Sequence, residues 1–473
     1  MTNHANLELR LNSHELPDQY RVTARLELPG SPVLQEKAGL AQFDTARFSE
    51  LAGTARWEIY GRELAGALFG PTEVRDLFVK ARQETKGQVP LRLRLCIESD
   101  AGPLRRLYWE LLNDPEHPGS WLATDQTCPF SRHVTSGDER PVARKPFDSL
   151  RALVVVANPL DLEDYSGESH QKLSPVDVPG EVARARQALG TIPITLLCSE
   201  PGLERDGLPT LKDLLSSLEH DYDVLYLVAH GMLDGDKPQL WLEHPDRQAD
   251  VVSGHDTPNA FGETVPGLLT RLGKLPVLPR LVILASCESA SPGSGGAVQA
   301  QEPAGRDTWA WAALGPRLAE IGIPAVIAMQ GKVTMRTVDA FMPAFFAALR
   351  RDGHIDRAVA SARLAVQDRW DWWLPVLFSR LEDGLLFAAL QEAPAARRSA
   401  PGAATRAPAG GFDTTEQREM LQQELAQHQR NLARLRSQKA IYAAGEEPLR
   451  LLNQIDHELA EIQRLQAELD ALL

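Results

Sequence analysis

The sequence predicts an α/β protein: a mostly parallel sheet flanked by helices, preceded by an α/β or α+β region and followed by an α-helical hairpin. Two observations predict the sheet. Short apolar runs such as the one that opens ALVVVANP (152–159) recur between residues 146 and 391, and stretches with helical spacing separate them. Strands without polar alternation are buried on both faces, as in a parallel sheet between helical layers. A third observation marks off the C-terminal end. EAPAARRSAPGAATRAPAGG (392–411) is a linker by composition, and leucines recur at heptad-like intervals beyond it.

Residues 1–145 mix strand-like runs, YRVTARLEL and VPLRLRLCIES, with one helical stretch, ELAGALFGPTEVRDLFVKARQE. In VPLRLRLCIES, Leu91, Leu93 and Leu95 alternate with Arg92 and Arg94, the period-two pattern of a strand with one buried face. LYWELL and the residues around it read as a packed element followed by a turn.

The 146–391 region then reads in order as strand ALVVVANP, helix EVARARQALG, strand PITLLCS, helix LPTLKDLLSSLEHD, strand DVLYLVAHG and strand LVILASC. Helix TWAWAALGPRLAEIG, strand IPAVIAM and two helices, TVDAFMPAFFAALRRDG and HIDRAVASARLAV, follow. HPDRQADVVSGHDTPNAFGETVPG (244–267) reads as a long polar loop. Trp370, Trp372 and Trp373 read as packing residues.

In the hairpin, residues 412–473, Leu421, Leu425, His428, Leu432 and Leu435 follow a 4-3-4-3 spacing. AAGEEP breaks the helix, and Leu452, Ile455, Leu459, Ile462, Leu465, Leu469 and Leu472 form a second seam. A hairpin this short buries little of its own surface and calls for a docking partner.

Composition narrows the function. The formal charge of −14 disfavours phosphate binding, so no direct nucleic-acid partner is expected. No run approaches the roughly 18 apolar residues of a membrane span. The N-terminus, MTNHANLELRLNSHELPDQY, lacks a signal-peptide core. No membrane association and a cytoplasmic location are therefore expected. The four cysteines, Cys96, Cys128, Cys198 and Cys287, show no CxxC spacing. This argues against zinc or a disulfide framework and for reduced thiols; no metal or cofactor is expected.

Function in such sheets gathers at the carboxyl ends of strands. DVLYLVAHG ends in His230-Gly231, and LVILASC ends in Cys287. Cys287 follows His230 by 57 positions, close to the roughly 50-residue separation of these residue types in caspases. An imidazole beside a thiol generates a reactive thiolate and then protonates a leaving amine. The backbone N–H groups of Gly231 and Cys287 are the natural oxyanion donors. Asp234, Asp236 and Asp256 lie in neighbouring loops and read as solvated loop carboxylates; one that did enter such a site would favour a basic substrate side chain, and no specificity is assigned.

These residues carry a resemblance to the CHAT domain, a caspase-like peptidase family grouped with caspases, metacaspases, gingipains, clostripain and separase. DVLYLVAHG looks like its His-Gly strand and LVILASCESA like its Cys-Glu-Ser strand. LAEIGIPAVIAM, HIDRAVASARLAV and WWLPVLF look like the elements that follow. The resemblance spans residues 90–388 and is densest over 222–380. It departs at Ala229, where many relatives carry glycine.

The resemblance implies a cysteine endopeptidase, with His230 as general acid/base and Cys287 as nucleophile, acting on a protein substrate through a thioester. It also implies that residues 1–145 are a degenerate, non-catalytic half and that SPGSGGAVQAQEPAGRD (291–307) rims the substrate site. Such a connection is sometimes cleaved on activation. The hairpin resembles those appended to effector and sensor modules of bacterial signalling and conflict proteins. This implies a sensor or adaptor partner, or self-association, through residues 412–473. The competing expectation is a catalytically silent scaffold that acts by protein–protein interaction.

Overall fold

The computed structural model describes residues 4–31, 33–87, 89–138, 142, 144–165, 173–234, 237–258, 263–285, 310–388 and 432. Two units divide the chain, residues 1–394 and 395–473. Cys287, the 291–307 segment, the 392–411 linker and, apart from residue 432, the 412–473 hairpin lie outside the described residues.

The chain opens with an antiparallel meander, β1 (Ala5–Ser13), β2 (Gln19–Glu27) and β3 (Gln35–Gln42). Helix α1 (Thr45–Gly53) starts where the Asp44 carboxylate accepts the Arg47 N–H at 2.9 Å, relieving one unpaired donor of the first turn. The single helical stretch expected next is two helices, α2 (Trp57–Leu68) and α3 (Thr72–Thr85), divided at Gly70-Pro71. Proline lacks the N–H that a continuing helix needs and disfavours helical geometry in the residue before it. Strands β4 (Leu91–Ile97) and β5 (Phe130–His133) follow, with short 3₁₀ turns between them.

The second region runs β6 (Ala152–Val156), α4 (Val178–Leu189), β7 (Ile194–Cys198), α5 (Leu211–Leu218) and β8 (Val224–Val228). Next come β9 (His230–Asp234), β10 (Lys237–Glu243), β11 (Ala249–Ser253), β12 (Thr257–Pro258), β13 (Thr264–Val265) and α6 (Leu268–Gly273). It closes with β14 (Leu281–Ala285), α7 (Ala310–Glu320), β15 (Ala325–Met329), α8 (Met335–Asp352), α9 (Ile355–Ala365) and β16 (Pro375–Ser379). Helix α8 ends at Gly353, whose φ is +73° and where a Cβ would overlap the Phe387 carbonyl oxygen. Only glycine fits there.

Among the described residues, eleven strands form one sheet in the order β3-β2-β1-β4-β5-β16-β15-β14-β8-β6-β7. The two regions read as 1–145 and 146–391 therefore share a single sheet, and residue 145 is no boundary within it. The sheet holds two parallel blocks, β1-β4-β5-β16 and β15-β14-β8-β6-β7, joined through the antiparallel pair β15–β16. The α/β class with a mostly parallel sheet, expected from the apolar runs, is the one observed. Alternate residues of each run feed opposite cores. Val154, Val156, Tyr226 and Ile283 face the core that includes Phe341 and Phe345 of α8. Val155, Leu227 and Leu284 face the core that includes Leu214 of α5 and Leu314 of α7.

Two expectations need correction. The alternating strand β4 is buried on both faces. Arg92 and Arg94 are internal, with Arg92 Nε donating to Asp356 at 2.6 Å and Arg94 3.4 Å from Glu8. Alternation here separates an apolar core from an internal ion-pair layer, since a charge is tolerated inside only when paired. The long polar loop of 244–267 contains β11, β12 and β13, and β9-β10-β11 form a separate antiparallel sheet. Its strands are short and mix polar with apolar residues, so they carry no continuous apolar signal.

At the amino end of the β15-β14-β8-β6-β7 block, Ala388 N–H donates to the Lys145 carbonyl oxygen at 2.9 Å. Lys145 Nζ lies 3.1 Å from the carboxylate of Asp223, the residue that precedes β8.

Candidate active site

Strands β8 and β14 are parallel neighbours, and their last paired residues are Val228 and Ala285. His230 follows Val228 by two positions, and Cys287 follows Ala285 by two in the sequence. The buried Ala229 separates β8 from β9. Its methyl group is packed in the wall of the second core, where the family resemblance leads one to expect glycine.

His230 is half-buried at the start of β9 and pairs across the ladder with Trp241 of β10. Gly231 pairs with Leu240 in the same ladder. The Nε2 atom of His230 lies 2.7 Å from the Ser174 carbonyl oxygen. A carbonyl only accepts, so Nε2 carries the proton, and Nδ1 is the basic nitrogen of the neutral ring. The imidazole is thus oriented by a backbone acceptor, which also supports the imidazolium once formed.

Ser174 belongs to the segment between β6 and α4, and the following Pro175 biases it toward extended backbone. Two residues on, Val176 N–H donates to Asn158 Oδ1 at 2.9 Å. Asn158 N–H in turn donates to Glu243 Oε1 at 2.8 Å, and the Ser199 hydroxyl donates to the same oxygen at 2.7 Å. Leu173 N–H donates to the Tyr165 carbonyl oxygen at 3.2 Å. The Tyr165 ring meets Trp241 edge-on, with centroids 5.8 Å apart. Sequence reasoning missed Ser174, Asn158, Glu243 and Trp241. The contribution of Ser174 is a backbone carbonyl, which no residue type announces.

The three aspartates divide. Asp234, exposed on β9, accepts from Gln239 Nε2 at 3.4 Å. Asp256 accepts from Thr270 and, at 2.8 Å, from Gly267 N–H, and these bonds hold its carboxyl below the usual range. It is engaged at the start of α6. Asp236 lies outside the described residues.

The described thiols, Cys96, Cys128 and Cys198, are all buried. Burial pushes Cys96 and Cys128 up to about 12 and raises Cys198. These are core thiols with little thiolate. Cys96 on β4 is nonetheless the register partner of His133 on β5, so a cysteine and a histidine stand on neighbouring strands in the N-terminal region as well. Burial, then the charge of Arg94, lowers His133 to about 4. A neutral imidazole and a protonated thiol result, the reverse of a poised pair.

No helix of the described residues is long and apolar enough to cross a membrane. A family model described as "CHAT domain" matches residues 58–437. No curated protein matches the chain. Among solved structures, the complex of the pro- and mature domains of Porphyromonas gingivalis RgpB is similar over 72% of this chain and 77% of that chain. Its sequence identity is 12% and the TM-score is 0.35.

Proposed function

The chain belongs to the CHAT domain family, and from that premise we propose that it is a cysteine endopeptidase with His230 and Cys287 as its dyad. The observation that carries the reading is the pairing of Val228 with Ala285, together with the 2.7 Å bond from His230 Nε2 to Ser174. Parallel neighbours lie about 4.8 Å apart, and two further residues from each strand end reach at most about 7 Å. Tethers this short allow the thiol to reach the oriented imidazole, which is what the proposal requires.

In the proposed reaction, His230 Nδ1 takes the thiol proton of Cys287 and the thiolate attacks the scissile carbonyl carbon. The oxyanion is held by the N–H groups of Gly231 and Cys287. The imidazolium protonates the leaving amine as the C–N bond breaks, which leaves a thioester. Water, deprotonated by His230, then releases the acid and restores the thiol. The bond to the Ser174 carbonyl supports the positively charged ring in both half-reactions.

A thiol-reactive peptide probe tests this, applied to wild type, Cys287→Ala and His230→Ala. Labelling of wild type alone is expected. Equal labelling of all three would reject the enzyme in favour of a silent scaffold. We further propose an effector role in signalling or defence, with recruitment or activation through residues 412–473. Truncation at residue 411 is expected to abolish partner association or self-association on size exclusion and to leave the core folded. An unchanged complex counts against it.

A further inference from the structure

We infer that Glu243 and Asn158 are positioning residues for His230, an inference that rests on the peptidase reading and extends it beyond the dyad. Glu243 is the last residue of β10, the strand that pairs with β9, and its side chain is 1% exposed. A carboxylate so deeply buried is stable only when its acceptor sites are used. Here one oxygen takes both the Asn158 N–H at 2.8 Å and the Ser199 hydroxyl at 2.7 Å. Asn158 passes the constraint on through its side chain, whose Oδ1 accepts the Val176 N–H at 2.9 Å, two residues from Ser174.

One strand therefore locates both halves of the His230 hydrogen bond. The imidazole is located through the ladder pair Trp241–His230. The Ser174 carbonyl oxygen is located through Glu243, Asn158 and Val176. Without the second route, the acceptor would lose the side-chain anchor two residues away, and Nε2 would hold its proton less firmly against exchange to Nδ1. With it, Nε2 keeps the proton and Nδ1 remains the base. Neither Glu243 nor Asn158 touches substrate in this scheme. Each acts through the tautomer of His230.

The test uses the full chain labelled with ¹⁵N-histidine, the His230 signals being assigned by their loss in His230→Gln. Wild type is expected to show the Nε2–H tautomer. Asn158→Ala and Glu243→Ala should each shift the tautomer ratio by about tenfold toward Nδ1–H, the scale of one lost hydrogen bond. Asn158→Asp and Glu243→Gln keep the accepting oxygen and should restore the wild-type signature.

A folded Asn158→Ala with an unchanged tautomer ratio overturns the inference. Should the alanine variants fail to fold, amide exchange in wild type decides. The Asn158 and Val176 amides are expected to be protected, and unprotected exchange at either overturns it. The tautomer readout does not require turnover. A wild type that shows the relay but labels with no peptide probe therefore defeats the peptidase reading alone, and one that labels without the relay defeats this inference alone.

Discussion

Cys96 and His133 are register partners on neighbouring parallel strands, yet their environment holds the thiol up to about 12 and the imidazole down to about 4. The residue types of a cysteine peptidase stand side by side in the wrong protonation states. Burial is the leading cause for both. His230 differs in being half-buried and in donating a hydrogen bond from Nε2 to a carbonyl.

Thiol reactivity should follow this contrast. With limiting iodoacetamide near pH 8, Cys287 is expected to be modified first, while Cys96 and Cys128 stay unmodified until the protein unfolds. Peptide mass spectrometry of native and denatured samples checks this. Native labelling of Cys96 at the rate of Cys287 would show that its burial has been misread.

Catalysis should depend on the ring rather than on its bulk. On a cleaved peptide, His230→Ala is expected to lower kcat/KM by about 10²–10⁴-fold, the usual contribution of a positioned acid/base. Cys287→Ala should remove turnover altogether. Unchanged thermal unfolding of both variants would separate chemistry from folding.

Acid should destabilise the fold through His4 and His133. Burial foremost lowers each from 6.5 to about 4. As pH falls below 6.5, the unfolded state takes up protons that the folded state refuses, so the stability contributed above pH 6.5 is lost toward pH 4. The unfolding midpoint should fall across that window. His133→Gln should flatten the slope, and an unaltered slope would remove His133 from the account.

The ion-pair layer should be intolerant of one-sided changes. Glu110 is fully buried, pairs with Arg132 and accepts from Gln330 Nε2 at 2.9 Å. Arg363, also buried, lies 3.7 Å away and is lowered to about 10 by burial. Glu110→Ala leaves two guanidinium groups without their carboxylate and is expected to cost about 3–5 kcal/mol in chemical denaturation.

Backbone constraint gives a separate test at Gly353. Gly353→Ala combines a positive φ with overlap of the Phe387 carbonyl oxygen. It should destabilise by more than about 1 kcal/mol in the same assay. A neutral effect would mean that the turn after α8 can relax.

The parts of the fold that were legible in the sequence are those with a dense, local signal. ALVVVANP, DVLYLVAHG, LVILASC and IPAVIAM contain β6, β8, β14 and β15, because a strand covered on both faces has no polar positions. KPQLWLE, which forms β10, opens with lysine and proline and lies outside every strand read from the sequence. Arg92 and Arg94 read as solvent-facing because their partners, Asp356 and Glu8, are distant in sequence. For the site, residue types named the histidine and the cysteine. They were silent on the Ser174 carbonyl and on Glu243, whose role depends on what folds against it.

The bond between Ala388 and Lys145 bears on traffic around the molecule. Lys145 sits beside Asp223 at the amino end of β8, whereas His230 lies beyond its carboxyl end, so the strand's length of about 17 Å separates the two. Ala388, the last residue described before the end of the first unit, is therefore pinned at the rim opposite the histidine, so the carboxyl-end rim is built without it.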